Sequence, residues 1–366
     1  MDWNRCSQLE ALAWLRICLV PGVAPSVLRR LLAWAGTPFG VLEAPAAEVA
    51  AFAGEPVARA LSRGADPRLV ESTMRWLDAP GRHLVPLGDP EYPAPLLEVD
   101  EPPPILYAEG RLELLRKPAL AIVGSRNATA QGLRDANAFA SALSQAGLTI
   151  VSGLALGVDA EAHRGGLAAR GSSLAILGTG PDIVYPAVNA DIARALAADG
   201  CLVSEFPLRT PPVARNFPRR NRLISGLAKG VLVIEAGLPS GTLTTARIAA
   251  EQGREVFALP GSIHSPVSKG CHWLIREGAM LVEDAQGVLD GLGWSRPAGA
   301  APAKRSPARD RDELLEALGF APATLEQLAS RTGLEVPHLT ARMSMLELAG
   351  RVIPLPGGAF QRVETG

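Results

Sequence analysis

The stretch "ALAIVGSR", residues 119–126, sets the pattern that decides the fold, because a short apolar run ends at glycine and a polar turn follows. Five more runs of this kind are "LTIVSG" (148–153), "SLAILGTG" (173–180), "CLVSEF" (201–206), "GVLVIEA" (230–236) and "EVFALPG" (255–261). Helical stretches such as "LRDANAFASALSQAG" and "LTTARIAAEQG" lie between the runs. Near-continuous apolar runs are typical of parallel strands that are covered on both faces. The pattern predicts an α/β fold with a doubly wound, mostly parallel sheet.

Different patterns flank this core, which is predicted to span residues 86–292. Before it, apolar residues recur at helical spacing and predict a small helical domain over residues 1–85. After it, "GWSRPAGAAPAKRSPARD" (293–310) is rich in Ala, Pro and basic residues and predicts a flexible linker. Three helical segments and a hairpin around Pro356-Gly357-Gly358 then predict a winged-helix domain over residues 311–366.

The turn "VPGVAP" (20–25) in the helical domain resembles that of a helix-hairpin-helix, whose Gly-rich turn offers backbone N–H groups to a DNA phosphate. The usual motif has a second glycine where this chain has Ala24. A purely structural pair of helices is therefore the favoured interpretation, and phosphate binding at this turn stays open.

The composition limits the class of protein. The chain has 366 residues and a formal net charge of −1, which disfavours a general nucleic-acid-coating protein, since such a protein would be strongly basic. Its four cysteines lie far apart without a CxxC pair, which argues against a disulfide framework or a zinc ribbon. No run approaches the ~18 apolar residues of a membrane span, and the N-terminus lacks the apolar core of a signal peptide. We expect a cytoplasmic protein without membrane contact.

Three glycine turns follow strands of the predicted sheet and suit phosphate binding. Gly124, Ser125 and Arg126 lie where a helix N-terminus offers unpaired N–H groups, and Arg126 adds a full positive charge. Gly153 allows close backbone approach in the next turn, and Ser240-Gly241-Thr242 opens a helix after a later strand. Because the carboxyl ends of parallel strands meet at one edge of a sheet, we expect the turns to share one crevice.

The stretch "RTPPVARNFPRRNRLISGLAKG", residues 209–230, contains six basic residues and no acid. Phe217 and Asn221 are interleaved with its arginines, among them Arg220 and Arg222. Cations can follow a nucleic-acid backbone, an aromatic face can stack a base, and an amide can pair with base edges. We interpret the stretch as a basic loop that binds a single nucleic-acid strand. The alternative is a solvated loop whose Phe217 packs into the core.

The other polar clusters do not favour a metal or a redox cofactor. Asp159 and His163 share a helix face, but no third ligand is near in sequence, so a structural Asp–His contact is favoured. His264 and His272 are eight residues apart, which makes zinc binding an unfavoured interpretation. The chain lacks GxGxxG and GxxxxGK[ST] motifs, so we predict no catalytic residue, no metal and no cofactor. Lys269, after a later strand, is expected to add charge to the crevice.

Several motifs together resemble the DNA-processing protein A family (DprA/Smf). The motifs are GSR at 124–126, SGLALGVDAEAH at 152–163, FPRRNRLISGL at 217–227, SGTLTTA at 240–246 and SKGCHWLI at 268–275. The segment "YPAPLLEVDEPPPILYAEG" (92–110) is similar too, so the resemblance covers nearly the whole chain. A departure is His272, where the family usually has asparagine. The resemblance implies an extended Rossmann-like core between the helical and the winged-helix domains.

The resemblance also implies a function and a set of binding residues. Family members are non-enzymatic binders of single-stranded DNA that protect incoming strands during natural transformation, load the RecA recombinase onto them and dimerise through the core. Carried over by motif, the side chains expected to line the DNA pocket are Arg126, Phe217, Arg220, Asn221 and Arg222. The residues expected to offer backbone or hydroxyl contacts are Gly124, Ser125, Gly153, Gly241 and Thr242, with Lys269 as a weaker addition.

Two other functions stay open at the level of sequence. "EAGLPSGTLTTA" (235–246) resembles the PGGxGTxxE turn of phosphoribohydrolases once misnamed lysine decarboxylases, which suggests an enzyme that releases a base from nucleoside monophosphates. Thr245 stands where that family has its catalytic glutamate, and this disfavours the enzyme. The third option is a duplex-DNA regulator that uses the winged helix, whose obvious base reader is Arg342.

Overall fold

A computed structural model describes residues 8–294 and 312–363 of the chain. These residues divide into two compact units, one in each range, and each unit has its own hydrophobic core. The predicted linker (293–310) lies outside the described residues except for Gly293 and Trp294.

The first unit begins with helices whose ends are marked by proline, glycine and capping side chains. The helices α1 to α6 are Gln8–Cys18, Pro25–Ala35, Pro38–Glu43, Ala46–Ala53, Glu55–Arg63 and Pro67–Leu77. Thr37 and Asp66 accept hydrogen bonds from backbone N–H groups in the first turns of α3 and α6. The helices bury Leu15, Leu31 and Trp76 in one apolar cluster, so the helices pack together in the first unit.

A nine-stranded sheet forms the centre of the first unit. Its strands β1 to β9 are Arg82–Pro86, Ile105–Gly110, Ala119–Gly124, Thr149–Ser152, Ser173–Ile176, Cys201–Ser204, Gly230–Ile234, Glu255–Ala258 and Met280–Leu281. Their order is β1-β2-β6-β5-β4-β3-β7-β8-β9, with antiparallel pairing of β1 to β2 and of β2 to β6, and parallel pairing from β6 to β9. The predicted mostly parallel α/β sheet is confirmed.

Three strands at the sheet edges were not predicted. The strands β1 and β2 form an antiparallel extension, and β9 is a two-residue edge strand. β1 includes residues on both sides of the predicted domain boundary at 85/86, and that boundary stays a prediction.

Helices cover both faces of the sheet. The helices α7 to α13 are Ala130–Gln145, Val158–Leu167, Ala190–Asp199, Asn216–Leu227, Gly241–Glu251, Lys269–Arg276 and Ala285–Gly291. Alternate residues of β3 enter different cores, with Ala121 and Val123 on one side and Leu120 and Ile122 on the other. Burial on both faces explains why the strand is apolar throughout rather than alternating.

The order of the strands places a switch point beside β3. From β3 the chain continues to β4, β5 and β6 on one side, whereas β7, β8 and β9 lie on the other. In open α/β sheets the ligand crevice lies outside the carboxyl ends of the strands at such a point. The turns that follow β3 and β7 are therefore the first place to look for a site.

The second unit has the predicted winged-helix pattern. Its helices α14 to α16 are Glu313–Leu318, Leu325–Thr332 and Val336–Leu348, and its strands β10 to β12 are Ala323–Thr324, Val352–Leu355 and Ala359–Arg362. Thr324 and Gln327 form a capping box at the start of α15. The strands β11 and β12 pair as a hairpin around Gly357 and Gly358, both of which have a positive φ. The winged-helix prediction is confirmed.

None of the helices in residues 8–294 and 312–363 is long and apolar enough to cross a membrane.

Candidate nucleic-acid interface

A crevice of about 490 Å³ opens at the carboxyl end of the sheet, beside the switch point between β3 and β7. The turns after β3, β4 and β7 and one face of α10 form its wall. The residues on the wall are Val123, Gly124, Ser125, Arg126, Asn127, Ala155, Asp159, Phe217, Arg220, Asn221, Ile224, Gly237, Pro239, Ser240, Gly241, Thr242, Thr245 and Val267. The predicted crevice is present, and the structure brings most of the predicted site residues together on it.

The basic stretch is a helix where it meets the crevice, so the prediction of a loop was wrong. α10 begins at Asn216, and Pro218 is tolerated in its first turn because no intrahelical N–H is lost there. Buried Leu223 and Leu227 anchor the helix to the core beneath the sheet. Residues spaced as on one helix face then line the crevice, namely Phe217, Arg220, Asn221 and Ile224.

Arg220 is the buried cation of the crevice. The residue is 4% exposed, and its Nη1 donates hydrogen bonds to the carbonyl oxygen of Gly153, at 2.7 Å, and to that of Ile176. The guanidinium is thus held at the ends of β4 and β5. Burial, and to a lesser degree the nearby Arg126, lower the pKa of Arg220 to about 10, whereas Asp159 opposes this change. Arg220 therefore keeps its positive charge at neutral pH.

Asp159 and His163 hold the turn after β4. Asp159 Oδ2 accepts hydrogen bonds from the N–H groups of Gly153, at 3.0 Å, and Ala155, at 3.3 Å. His163 Nε2 accepts from the N–H group of Leu154 at 3.2 Å. Burial raises the pKa of Asp159 and lowers that of His163 to about 3, so His163 is neutral. Their role is structural as predicted, but it acts through the turn rather than through the predicted contact between the two side chains.

Phe217 presents an aromatic ring at the rim of the crevice and is half-buried. The guanidinium carbon of Arg126, an exposed residue, lies 6.0 Å from the centroid of the Phe217 ring. The Tyr185 ring lies 5.6 Å from the same ring, centroid to centroid, with 39° between the planes. An exposed arginine and two aromatic rings are therefore neighbours at the rim.

The helix α11 places its first residues at the crevice. A Cβ built on Gly241 would have no heavy atom of the described residues within 4 Å. Ser240 Oγ is buried and, within the same part of the chain, has no hydrogen-bond partner. Thr242 Oγ1 donates to the carbonyl oxygen of Gly124 at 3.0 Å and so links the turns after β3 and β7. Open space, a free hydroxyl and a helix N-terminus together suit an anionic group.

Three predicted site residues, Gly153, Arg222 and Lys269, are not part of the crevice wall. Gly153 lies against the guanidinium of Arg220, where a Cβ would come within 2.5 Å of Nη2. Lys269 Nζ donates a hydrogen bond to the carbonyl oxygen of Ile263. Gly153 thus makes room for Arg220, and Lys269 adds its charge outside the wall.

Arg222 faces the side of α10 that points away from the crevice, because residues two apart do not share a helix face. Arg222 Nη2 lies 2.6 Å from Glu205 Oε2, and Arg219 Nη2 lies 3.2 Å from the same oxygen. Glu205 is buried, with a side chain that is 2% exposed. The prediction that Arg222 lines the crevice was therefore wrong, because its guanidinium pairs with a buried acid from outside the basic stretch.

Two residues that contact predicted site residues were missed at the level of sequence. Glu205 lies in the predicted strand "CLVSEF", where it is the single acid in an apolar run, and that isolation was the available signal. Tyr185 lies in the turn region after β5, and nothing in its neighbouring residues marks it as a partner of Phe217. Its position after a strand of the parallel sheet was the signal that could have found it.

Metal binding has no support from geometry in the described part of the chain, where no group of three or more His, Cys, Asp or Glu side chains could hold an ion.

Sequence comparisons match both units of the chain to one family. Residues 83–293 match the family model described as DNA recombination-mediator protein A, and residues 298–358 match the DprA winged helix domain. Protein Smf of Escherichia coli (strain K12) is 45% identical over 298 residues, which cover 79% of this chain and 80% of that protein. Protein Smf of Synechocystis is 33% identical over 399 residues, which cover 96% of this chain and 99% of that protein.

Solved structures of similar proteins share the fold. DNA processing protein A (DprA) from Streptococcus pneumoniae matches with a TM-score of 0.67 and 33% identity, over 78% of this chain and 98% of that chain. DNA processing protein A from Helicobacter pylori, described for its single-stranded DNA binding mode, matches with a TM-score of 0.53 and 29% identity. That match covers 57% of this chain and 95% of the Helicobacter chain.

Proposed function

The chain belongs to the DNA recombination-mediator protein A (DprA/Smf) family, and on that premise we propose that it binds single-stranded DNA in the crevice. We further propose that the protein protects incoming strands during natural transformation and loads RecA onto them in the cytoplasm. It acts as a binding protein and not as an enzyme.

One observation carries the proposal: a buried cation, a helix N-terminus and an aromatic ring meet in a single crevice. Each of these features suits one part of a nucleotide. The N-terminus of α11, with Gly241 and Ser240, suits a phosphate, and the ring of Phe217 suits a base. Arg220 supplies a fixed positive charge between them, and Arg126 supplies a second charge at the rim.

Asn221 is assigned a more specific role by its hydrogen bond. Its Oδ1 accepts from Arg220 Nε at 3.2 Å, so the amide NH₂ group is the part that it offers to the crevice. That group would donate to an acceptor on a base edge. Ser125 and the backbone of Gly124 and Thr242, also on the crevice wall, complete the set of proposed contacts.

The enzyme alternative receives less support from the crevice. Thr245 is buried, and its Oγ1 donates to the carbonyl oxygen of Gly241 at 3.4 Å, so it offers no acid or base at the position of the phosphoribohydrolase glutamate. Asp159, the carboxylate on the wall, accepts two backbone hydrogen bonds. Incubation with nucleoside monophosphates tests this point, and release of free base would contradict the proposal.

The duplex-DNA alternative also receives little support. Arg342, its candidate base reader, lies on α16 with Nη2 2.9 Å from Asp312 Oδ1. A guanidinium held by a carboxylate gives up part of its capacity to contact a base.

The proposed homodimer through the core is supported by an edge of the sheet. Met280 and Leu281 on the edge strand β9 are 42% and 47% exposed. An edge strand presents unpaired backbone N–H and C=O groups, and a second chain can pair with them. Light scattering decides the oligomeric state, and RecA filament formation on protein-coated strands decides the loading step.

A salt series with matched oligonucleotides tests the binding proposal. We expect this chain to bind a single-stranded oligonucleotide more tightly than a duplex of the same length in fluorescence anisotropy. The logarithm of the binding constant should fall by about 0.7 for each phosphate contact per tenfold rise in salt. Salt-independent binding, or equal affinity for the duplex, would remove the basis of the proposal.

Gly241→Ala tests whether a phosphate approaches the start of α11. The new Cβ meets open space in the described residues, so the free energy of unfolding should stay within about 0.5 kcal/mol of the original value. We expect the Kd for single-stranded DNA to rise by about tenfold, because the methyl group occupies the space next to the backbone N–H groups. The measurement is anisotropy at one salt concentration.

The matched control is Gly287→Ala, in the first turn of α13 and off the crevice wall, where a Cβ would make ordinary contacts at 3.5 Å. Equal affinities of the two variants would place the phosphate elsewhere.

A further inference from the structure

Tyr185 is an exposed tyrosine next to the proposed base-binding ring. Of the three tyrosines in the chain, Tyr92 and Tyr107 are buried, whereas Tyr185 is 47% exposed. Its ring lies beside Phe217 and outside the crevice wall, so it extends the aromatic surface beyond the cavity. Arg126, Phe217 and Tyr185 thus form a row of successive contacts, which we call the rim row.

The segment that carries Tyr185 is held at several points. Thr179 Oγ1 donates to the carbonyl oxygen of Ile183 at 2.6 Å, and Gly180 N donates to the carbonyl oxygen of Thr210 at 3.0 Å. On the other side of Tyr185, Asn189 Nδ2 donates to the carbonyl oxygen of Ala155, a residue of the crevice wall, at 3.1 Å. The tyrosine is therefore presented by a braced segment that is tied to the crevice.

We propose that Tyr185 is a second base-stacking position, which holds the nucleotide next to the one on Phe217 as the strand leaves the crevice. This inference rests on the proposed function. Proteins that bind single strands stack successive bases on successive aromatic side chains, and such stacking is tolerant of sequence because every base has a π-face. Because Tyr185 is 47% exposed, part of its side chain is accessible to that base.

The order of the rim row gives the strand a path. A phosphate at the start of α11 and a base on Phe217 occupy the crevice, and the next base lies over Tyr185, outside it. Arg126 contacts the Phe217 ring at the crevice wall, where it can pair with the phosphate of the nucleotide that stacks on Phe217. On this path a mononucleotide would occupy the crevice alone, whereas a longer strand would also reach Tyr185.

The other role open to Tyr185 is to support the Phe217 ring. Support alone would affect every ligand that contacts Phe217, whatever its length. Stacking of a second base would affect strands that are long enough to reach Tyr185 and would spare the shortest ones. Length dependence therefore separates the two roles.

The experiment compares Tyr185→Leu and Tyr185→Phe with the unchanged chain on thymidine monophosphate and on oligothymidylates of about 4 to about 16 nucleotides, a range that includes the site sizes of single-strand binders. We expect Tyr185→Leu to raise the Kd by about five- to tenfold for the oligonucleotides and to leave that for the mononucleotide, which is too short to reach Tyr185, unchanged. Tyr185→Phe, which keeps the ring, should bind like the unchanged chain. Phe39→Leu, a change of another exposed aromatic residue outside the crevice wall, is the matched control and should have no effect.

A cross-linking readout locates the base directly. Oligothymidylates that carry 5-iodouracil at a single position are irradiated in complex with the full chain, and the attached residue is identified by mass spectrometry. Attachment to Tyr185 and to Phe217 from adjacent positions of the strand is the expected result. Equal losses of affinity at all lengths, with attachment at Phe217 alone, would reduce Tyr185 to a supporting residue and overturn the inference.

Failure of the inference can be told from failure of the proposed function. If the unchanged chain binds single strands with the expected salt dependence but Tyr185→Leu binds equally well at every length, only the second stacking position is lost. If the unchanged chain binds no single strand, both are lost.

Discussion

Arg220→Met is expected to lower the free energy of unfolding by about 3–5 kcal/mol, the cost of leaving a buried charge without its partner. Arg220 is buried beside Asp159, and its guanidinium holds the carbonyl oxygens of Gly153 and Ile176. Methionine fills a similar volume but leaves these acceptors and the carboxylate unmatched. Urea unfolding measures the loss, and a variant as stable as the original chain would show that Arg220 is not a structural cation.

The loss of unfolding free energy in Arg220→Met should depend on pH, because the substitution changes the pKa of Asp159. Burial raises the pKa of Asp159 in the folded protein and Arg220 opposes that rise, so loss of Arg220 raises the pKa further. An acid with a higher pKa in the folded state binds more protons there, and stability then falls as pH rises from the unfolded value of about 3.9 through the folded pKa. The deficit is therefore smallest in acid and grows toward neutral pH.

Asp159→Asn in the Arg220→Met background is the matched test of this cause. With no carboxylate to charge, the double variant should recover part of the stability and lose the pH dependence of the deficit. If the single variant loses the same stability at all pH values, the loss comes instead from the carbonyl oxygens that are left without a hydrogen-bond donor.

Arg126→Ala is expected to raise the Kd for single-stranded DNA by about tenfold to 100-fold without loss of stability. Arg126 is exposed at the rim, where its guanidinium contacts the Phe217 ring, so its removal creates no buried defect. Loss of one phosphate contact should also reduce the slope of log K against log salt by about 0.7. Anisotropy titrations over a salt series measure both quantities.

The matched control for Arg126 is Arg247→Ala, an exposed arginine of α11 that is not on the crevice wall. Its Kd and its salt slope should stay at the original values. If the two variants lose the same affinity, general positive charge and not the crevice attracts the strand.

The central fold could be predicted because its strands are buried on both faces. The residues of β3 from 119 to 123 each enter one core or the other, and this part of the strand is therefore apolar without interruption. The edge strands β1 and β9 lack this signature, since residues such as Met280 and Leu281 remain exposed. An uninterrupted apolar run therefore identifies a central strand. An edge strand depends on pairing with a neighbouring strand, which its own local sequence does not indicate.

The site could be predicted in part, because turns after parallel strands converge at one end of a sheet. Gly124, Arg126 and Gly241 meet for that reason. Arg222 could not be placed, since its partner Glu205 is contributed by β6 and its turn, in a different part of the chain. The helical state of α10 was also missed, because its polar residues suggested a basic binding loop, whereas its apolar residues pack into the core.

The carbonyl oxygens that hold Arg220 have a consequence for the thermodynamics of capture. Confining a long side chain costs up to about 2 kcal/mol of rotamer entropy, and for Arg220 that cost was met when the chain folded. Arg126 is exposed, and no hydrogen bond from its guanidinium is observed in the described residues, so more of its rotamer entropy is lost only when the strand binds. The part of the crevice formed by Arg220 is therefore already rigid when a strand binds. The affinity contributed by this part should fall less on warming, because less conformational entropy is lost there.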